Sequence, residues 1–273
     1  MRNWLIFSLL AAIITTGAVA QDERLRRLDA GTDANPWEAV GRLDIGGSGF
    51  CTGALISPDL VLTAAHCLFD KRTGARINHE DVEFLAGWRN GRASAYRMVR
   101  RAVIHPDYVY DDNVSSDRVR NDIALLELIR PIRNGTIEPF ETADRPGQGE
   151  RVGVVSYARD RSEAPSLQEV CTVIARQEGV LVTSCTVDFG SSGAPIFTFA
   201  DGKAHIVSVV SAKAEMNGEH VSLGTSLSEP LSFLRQKLDA GGGLFVSGQA
   251  VTERVAVGAG RKETGAKFIR PEE

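Results

Sequence analysis

Three short frames of this chain hold side chains suited to nucleophilic chemistry. Thr63-Ala64-Ala65-His66-Cys67 sets a histidine at the end of the apolar run Leu60-Val61-Leu62, beside a cysteine. Asn121-Asp122 precedes a second apolar run, Ile123-Ala124-Leu125-Leu126, and Gly190-Ser191-Ser192-Gly193-Ala194-Pro195 places a serine among glycines. A serine hydroxyl is a weak nucleophile at neutral pH and needs an adjacent base to take its proton. Histidine suits that task because its ordinary pKa lies near neutrality. A buried carboxylate on the other ring nitrogen would fix the tautomer and steady the imidazolium. Glycines beside the serine let the backbone turn tightly, so that its N–H groups can converge on an oxygen as charge develops there. The set His66, Asp122 and Ser192 therefore reads as the parts of an acyl-transfer site.

The competing residues lack such frames. His79, His105, His205 and His220 read as exposed or structural. Asp111, Asp112 and Asp117 lie in a polar stretch expected to be a surface loop, and choosing Ser191 as nucleophile breaks the register with Gly193 and Pro195. A metal centre is disfavoured. No two cysteines have C-x-x-C spacing, and His66-Cys67 has no second close ligand pair.

Together the three frames, with Gly49-Phe50-Cys51-Thr52-Gly53 upstream, resemble the chymotrypsin-like (trypsin-fold) serine peptidases. The uncharged residue before the serine is similar to the bacterial branch that includes glutamyl endopeptidases. The resemblance implies that Ser192 is the nucleophile, His66 the general base and Asp122 the orienting carboxylate. The N–H groups of Gly190 and Ser192 would form the oxyanion hole. It implies a Cys51–Cys67 disulfide, which leaves Cys171 to pair with Cys185; residue counting alone allows three pairings of the four cysteines. It also implies a substrate-binding strand at Ile206-Val207-Ser208-Val209-Val210, with Ser208 as the matching serine. Val209-Val210 stand where the family usually has Trp-Gly. Thr186 stands six residues before Ser192, at the pocket floor where trypsin has an aspartate, so an Arg/Lys preference does not carry over. Ser191 replaces the aspartate that animal digestive members use to receive a new N-terminus. The function implied is endopeptidase action on a polypeptide substrate through an acyl-enzyme, with no cofactor. The rival is a catalytically silent member acting as a binding or scaffold module.

The elements that must position these residues are short apolar runs broken by Gly, Pro, Asp and Asn. Strands are expected near Ala39–Ile45, Gly53–Ile56, Leu60–Ala64, Val82–Ala86, Ala95–Ile104 and Ile123–Leu128. A second set is expected near Arg151–Tyr157, Leu167–Ile174, Val180–Thr183, Ala194–Phe199, His205–Val210 and Val221–Ser226. This is an all-β pattern, compatible with a sandwich or with barrels. The resemblance selects two six-stranded antiparallel β-barrels, about 34–135 and 136–240, with the site in the cleft between them. Leu231, Leu234 and Leu238 share one face of an amphipathic C-terminal helix, with Ser228 as the expected N-cap.

The ends read differently. Arg2, an uncharged stretch from Trp4 to Ile14 and Ala18-Val19-Ala20 form a secretory signal peptide over 1–20. Its apolar stretch is shorter than the roughly 20 residues that span a bilayer. Export, to the periplasm or the medium, permits disulfides. Residues 21–33 read as a pro-segment or flexible arm, and 241–273 as a mobile tail. The formal charge is −4, and losing Arg2 with the signal leaves −5. That balance disfavours nucleic acid as a partner. No other segment of spanning length occurs, so no membrane association is expected after signal cleavage, and a monomer is expected.

Overall fold

In the computed structural model, residues 25–29, 32–47, 49–111, 113–144 and 146–245 are described. The expected signal peptide and most of the expected tail lie outside them. Strand β1 is Arg26–Arg27. The next six strands are β2 (Val40–Ile45), β3 (Phe50–Ser57), β4 (Leu60–Thr63), β5 (Val82–Ala86), β6 (Ala95–Ile104) and β7 (Ala124–Leu128). They close into a barrel in the order β2-β3-β4-β7-β6-β5, with every neighbour antiparallel. The second set is β8 (Arg151–Ser156), β9 (Ser166–Gln177), β10 (Val180–Thr183), β11 (Pro195–Ala200), β12 (Lys203–Met216) and β13 (Glu219–Ser226). These pair as β9-β10-β13-β12-β11-β8, and β8 closes back on β9. The architecture is the pair of six-stranded barrels that the sequence implied.

Alternation along the strands fills each barrel. Leu43, Leu55, Val61, Phe84, Val99 and Leu126 meet inside the first. Val152, Val154, Leu181, Ile196 and Val207 meet inside the second, beside Cys171 and Cys185. A third cluster lies between them, drawing Val40 and Leu62 from one barrel and Val155, Phe197 and Val209 from the other. Burying each such side chain contributes about 1.5–3 kcal/mol. The closing helix α2 (Ser228–Asp239, numbered after a short helix described below) feeds Leu231, Leu234 and Leu238 into this shared layer. It packs on β6 and β7 of the first barrel, and Arg101 Nη1 caps it by donating to the Leu238 carbonyl at 2.8 Å. Its N-cap position is Leu227, with no side-chain cap; Ser228 is already helical.

Four sequence expectations are corrected at the edges. Leu28 of the expected arm is buried, and β1 pairs with β9 through Arg26↔Leu167 and Arg27↔Ser166. The Leu28 N–H donates to Pro165 at 2.9 Å. The first tail residues are also docked, since Ala102 N–H donates to the Gly243 carbonyl at 2.9 Å. Strand β12 runs on to Met216, where Lys213 and Glu215 alternate outward in a hairpin that extends past the barrel wall. Finally, the polar stretch before Asp122 holds a short helix, α1 (Ser116–Asn121), started by Ser115, whose hydroxyl accepts from the Arg118 N–H at 3.2 Å.

Candidate active site

His66 lies in a one-turn helix, Ala65–Leu68, that follows β4, and the Cys51–Cys67 disulfide ties that turn back to β3. Asp122 is the residue on which α1 ends, just before β7. Ser192 sits in the turn entering β11. Asp122 is fully buried and holds the histidine twice. Its Oδ1 accepts from the His66 backbone N–H at 2.9 Å, and its Oδ2 lies 2.6 Å from His66 Nδ1. The Ser211 hydroxyl donates to the same Oδ2. The backbone of Asp122 is fixed as well, because Thr225 Oγ1 donates to its carbonyl at 3.2 Å. Burial pushes the Asp122 pKa up. The charge and hydrogen bonds of His66 and the Ser211 hydroxyl outweigh this, and the carboxyl stays below the ordinary carboxylate value. An ionised acceptor thus faces Nδ1, which leaves Nε2 to exchange a proton.

His66 and Ser192 line one open cavity of about 320 Å³, together with Val187, Asp188 and the β12 segment from Val210 to Lys213. The serine turn is anchored to both barrels. Thr52 of β3 donates its N–H to the Ser192 carbonyl at 2.9 Å and its hydroxyl to the Gly190 carbonyl at 2.8 Å. Gly193 N–H donates to Val210 of β12 at 2.8 Å. Two glycines are required by space. A Cβ on Gly190, at φ +100°, would lie 2.4 Å from the Phe50 ring; one on Gly193, at φ +75°, would lie 2.1 Å from Thr63 Oγ1 and 2.5 Å from the Thr52 carbonyl. The Gly190 and Ser192 N–H groups share peptide planes with the Phe189 and Ser191 carbonyls, which accept from the Arg159 and Ala194 N–H groups at 2.8 and 3.0 Å; the two N–H groups themselves have no protein acceptor among the described residues.

Ser191 is buried and pinned. Its hydroxyl lies 3.2 Å from Ser156 Oγ and 3.3 Å from the Tyr157 carbonyl, and it accepts from Arg161 Nη2 at 3.4 Å. The same Nη2 donates to Ser156 Oγ at 3.2 Å. Burial draws the Arg161 pKa down from its ordinary value, and Asp160 and Asp188 draw it back.

The trypsin family profile matches residues 29–225. The chain belongs to the trypsin family. It is 25% identical to the glutamyl endopeptidase of Bacillus licheniformis over 202 residues, which are 73% of this chain and 60% of that protein. The chain thus spans less than two thirds of that relative's length. A solved Glu endopeptidase, in complex with MPD, has the same fold, with a TM-score of 0.63 and 16% identity over 80% of this chain and 98% of the other.

Within this family member, His66 and Asp122 are in direct contact, and Ser192 lines the same cavity as His66. The cysteines pair as Cys51–Cys67 and Cys171–Cys185. Cys51 and Cys67 lie within ligand distance of His66, but their sulfurs are bonded to each other and offer no thiolate. Ser208 is a correction. It is fully buried, and its hydroxyl donates to the Thr225 carbonyl at 2.8 Å, away from the cavity. Ser211 stands at the site instead. Register shifts between Val210 and Ala212, so Ser211 is the extra residue of a β-bulge and turns toward Asp122. Strict strand alternation cannot reveal such a residue. Thr186 is exposed and does not line the cavity; Val187 and Asp188 do. Sequence reasoning assigned no role to Thr52, Thr225 or Arg161.

Proposed function

We propose that this protein is an exported serine endopeptidase. The observation that carries the reading is the buried Asp122 carboxylate on His66 Nδ1, with Ser192 lining the same cavity. Ser192 Oγ attacks the scissile carbonyl while His66 Nε2 takes its proton. The N–H groups of Gly190 and Ser192 stabilise the oxyanion. His66 then protonates the leaving amine, and water, activated by the same ring, releases the acyl group from Ser192. Asp122 stays ionised throughout and orients the ring.

The edge of β12 supports a polypeptide substrate. Strand β11 pairs with β12 only as far as Val209, so Ser211 to Lys213 have no strand partner on that side among the described residues. An extended peptide can add there by backbone hydrogen bonds. Export is supported by the apolar leader at 1–20 and by the two disulfides.

The test is a fluorophosphonate probe followed by peptide mapping, with cleavage of a mixed peptide library in parallel. Labelling is expected on Ser192, and Ser192→Ala is expected to lose both labelling and cleavage. A folded wild-type protein that takes no label and cuts no peptide would refute the reading.

A further inference from the structure

The chain carries a net charge of −4, yet one side of its cleft is positive. A second cavity of about 490 Å³ adjoins the first at His66 and Phe189, and reaches Gly190 and the Cys51–Cys67 bridge. It does not include the β12 edge. A peptide whose acyl part lies along β12 must send its leaving-amine part past His66 into this second cavity. That assignment rests on the peptidase reading.

Three cations surround this side. Lys71 and Arg159 stand over the ring of Phe189, at 5.5 and 5.0 Å, and Arg72 lines the same wall. Phe189 is half exposed at the junction of the two cavities. Among the described residues, none of the three cations is paired with a carboxylate. Of the neighbouring carboxylates, Asp70 shares this wall and feels the charge of Arg72 without an ion-pair contact, and all three carboxylates have other partners. Asp188 binds Lys213 at 3.0 Å, Asp160 binds Arg161 at 3.2 Å, and Asp70 accepts from the Arg72 and Thr73 N–H groups and the Thr73 hydroxyl. Asp70 thereby shapes the turn that presents Lys71 and Arg72. Arg159 is held too, since its N–H donates to the Phe189 carbonyl at 2.8 Å. The arrangement is a set of cations on fixed backbones around an exposed ring, short of anionic partners.

We propose that this wall is a subsite for acidic residues on the leaving-group side of the cleaved bond, with Arg159, Lys71 and Arg72 binding Asp or Glu side chains within the first few positions after it. Complementary charge at this point also draws acidic segments toward the cleft.

Two short peptides that mimic the leaving-amine product test this without any turnover: Ala-Glu-Glu-Ala amide and Ala-Gln-Gln-Ala amide. Each is titrated into isotopically labelled Ser192→Ala protein while amide shifts are followed by NMR. The Glu peptide is expected to bind roughly tenfold more tightly at low salt, as two or three exposed ion pairs allow. Its shifts should centre on Phe189, Gly190 and Lys71, and the advantage should shrink at high salt. In the Arg159→Gln/Lys71→Gln/Arg72→Gln variant the two peptides should bind alike. Equal affinity for both peptides in the parent protein, or a Glu advantage that survives in the variant, overturns the proposal. Because no bond is cleaved, failure of the peptidase reading shows separately, in the fluorophosphonate experiment.

Discussion

Replacing Arg161 by methionine should slow catalysis far more than it weakens the fold. The guanidinium is about nine-tenths buried, and Nη2 reaches Ser156 Oγ at 3.2 Å and Ser191 Oγ at 3.4 Å. Hydrogen bonds from a charged group are worth about 1.5–3 kcal/mol each, and contacts of this length fall at the lower end, so roughly 3 kcal/mol is lost. Against this, methionine removes a buried cation whose Nε has no partner among the described residues. Desolvating such a group costs several kcal/mol. The net change in global stability should therefore stay near 1 kcal/mol. The local effect is larger, because Ser191 lies between the two residues whose N–H groups would hold the oxyanion. Deleting one such donor in other enzymes costs about 3 kcal/mol, or 10²-fold in kcat. Loosening the turn without deleting a donor should cost about 10- to 100-fold in kcat, with KM little changed. The assay is steady-state cleavage of one peptide by both proteins, corrected by active-site titration, beside a thermal melt. Partial rescue by low concentrations of guanidinium ion would mark a positioning role. An Arg161→Met protein that melts normally and keeps full kcat would refute the reasoning.

Two further outcomes follow from the geometry. Gly193→Ala should destabilise the protein by more than about 3 kcal/mol, since the new Cβ meets Thr63 Oγ1 and two backbone atoms in a left-handed conformation; in circular dichroism this is a melting point lower by roughly 6–12 °C, and an unchanged melt would contradict it. The depressed pKa of Asp122 means that the unfolded chain binds the proton more readily, so the carboxylate's contribution is complete above the ordinary aspartate value of about 3.9 and is lost as pH falls through the lower, folded-state value. Melting curves of Ser192→Ala between about pH 5 and 2 should accordingly fall more steeply than those of Ser192→Ala/Asp122→Asn, and parallel curves would show that the carboxyl is not perturbed.

Much of the architecture was legible because barrel strands write their burial into the sequence. Ranges such as Val82–Ala86 and Ala95–Ile104 coincide with β5 and β6, where apolar runs are bounded by polar turns. The distinctive frames of His66, Asp122 and Ser192 singled them out; the structure puts Asp122 against His66 and Ser192 on the cavity that His66 lines. What stayed hidden depends on tertiary contacts or on local geometry that apolar patterning does not encode. Helix α1 is one polar turn with a single buried residue, Val119, so it has no periodicity to read. Ser211 follows Ser208 by one Ser-Val-Val unit, and only the bulge decides which serine meets Asp122. Arg161 carries no sequence signal of burial; its side chain is covered only once the turn at 188–191 folds over it.

The layer shared by the barrels has a mechanical consequence. Val40, Leu62, Val155, Phe197 and the leucines of α2 interlock there, and Arg101 fastens the end of that helix to the opposite barrel. Rotating one barrel against the other would have to tear this layer open, exposing many large side chains to water at once. The jaws of the cleft are therefore welded. Adjustments to the bulk of an arriving peptide must come from side chains at the cleft surface, and heating should collapse both halves in a single step.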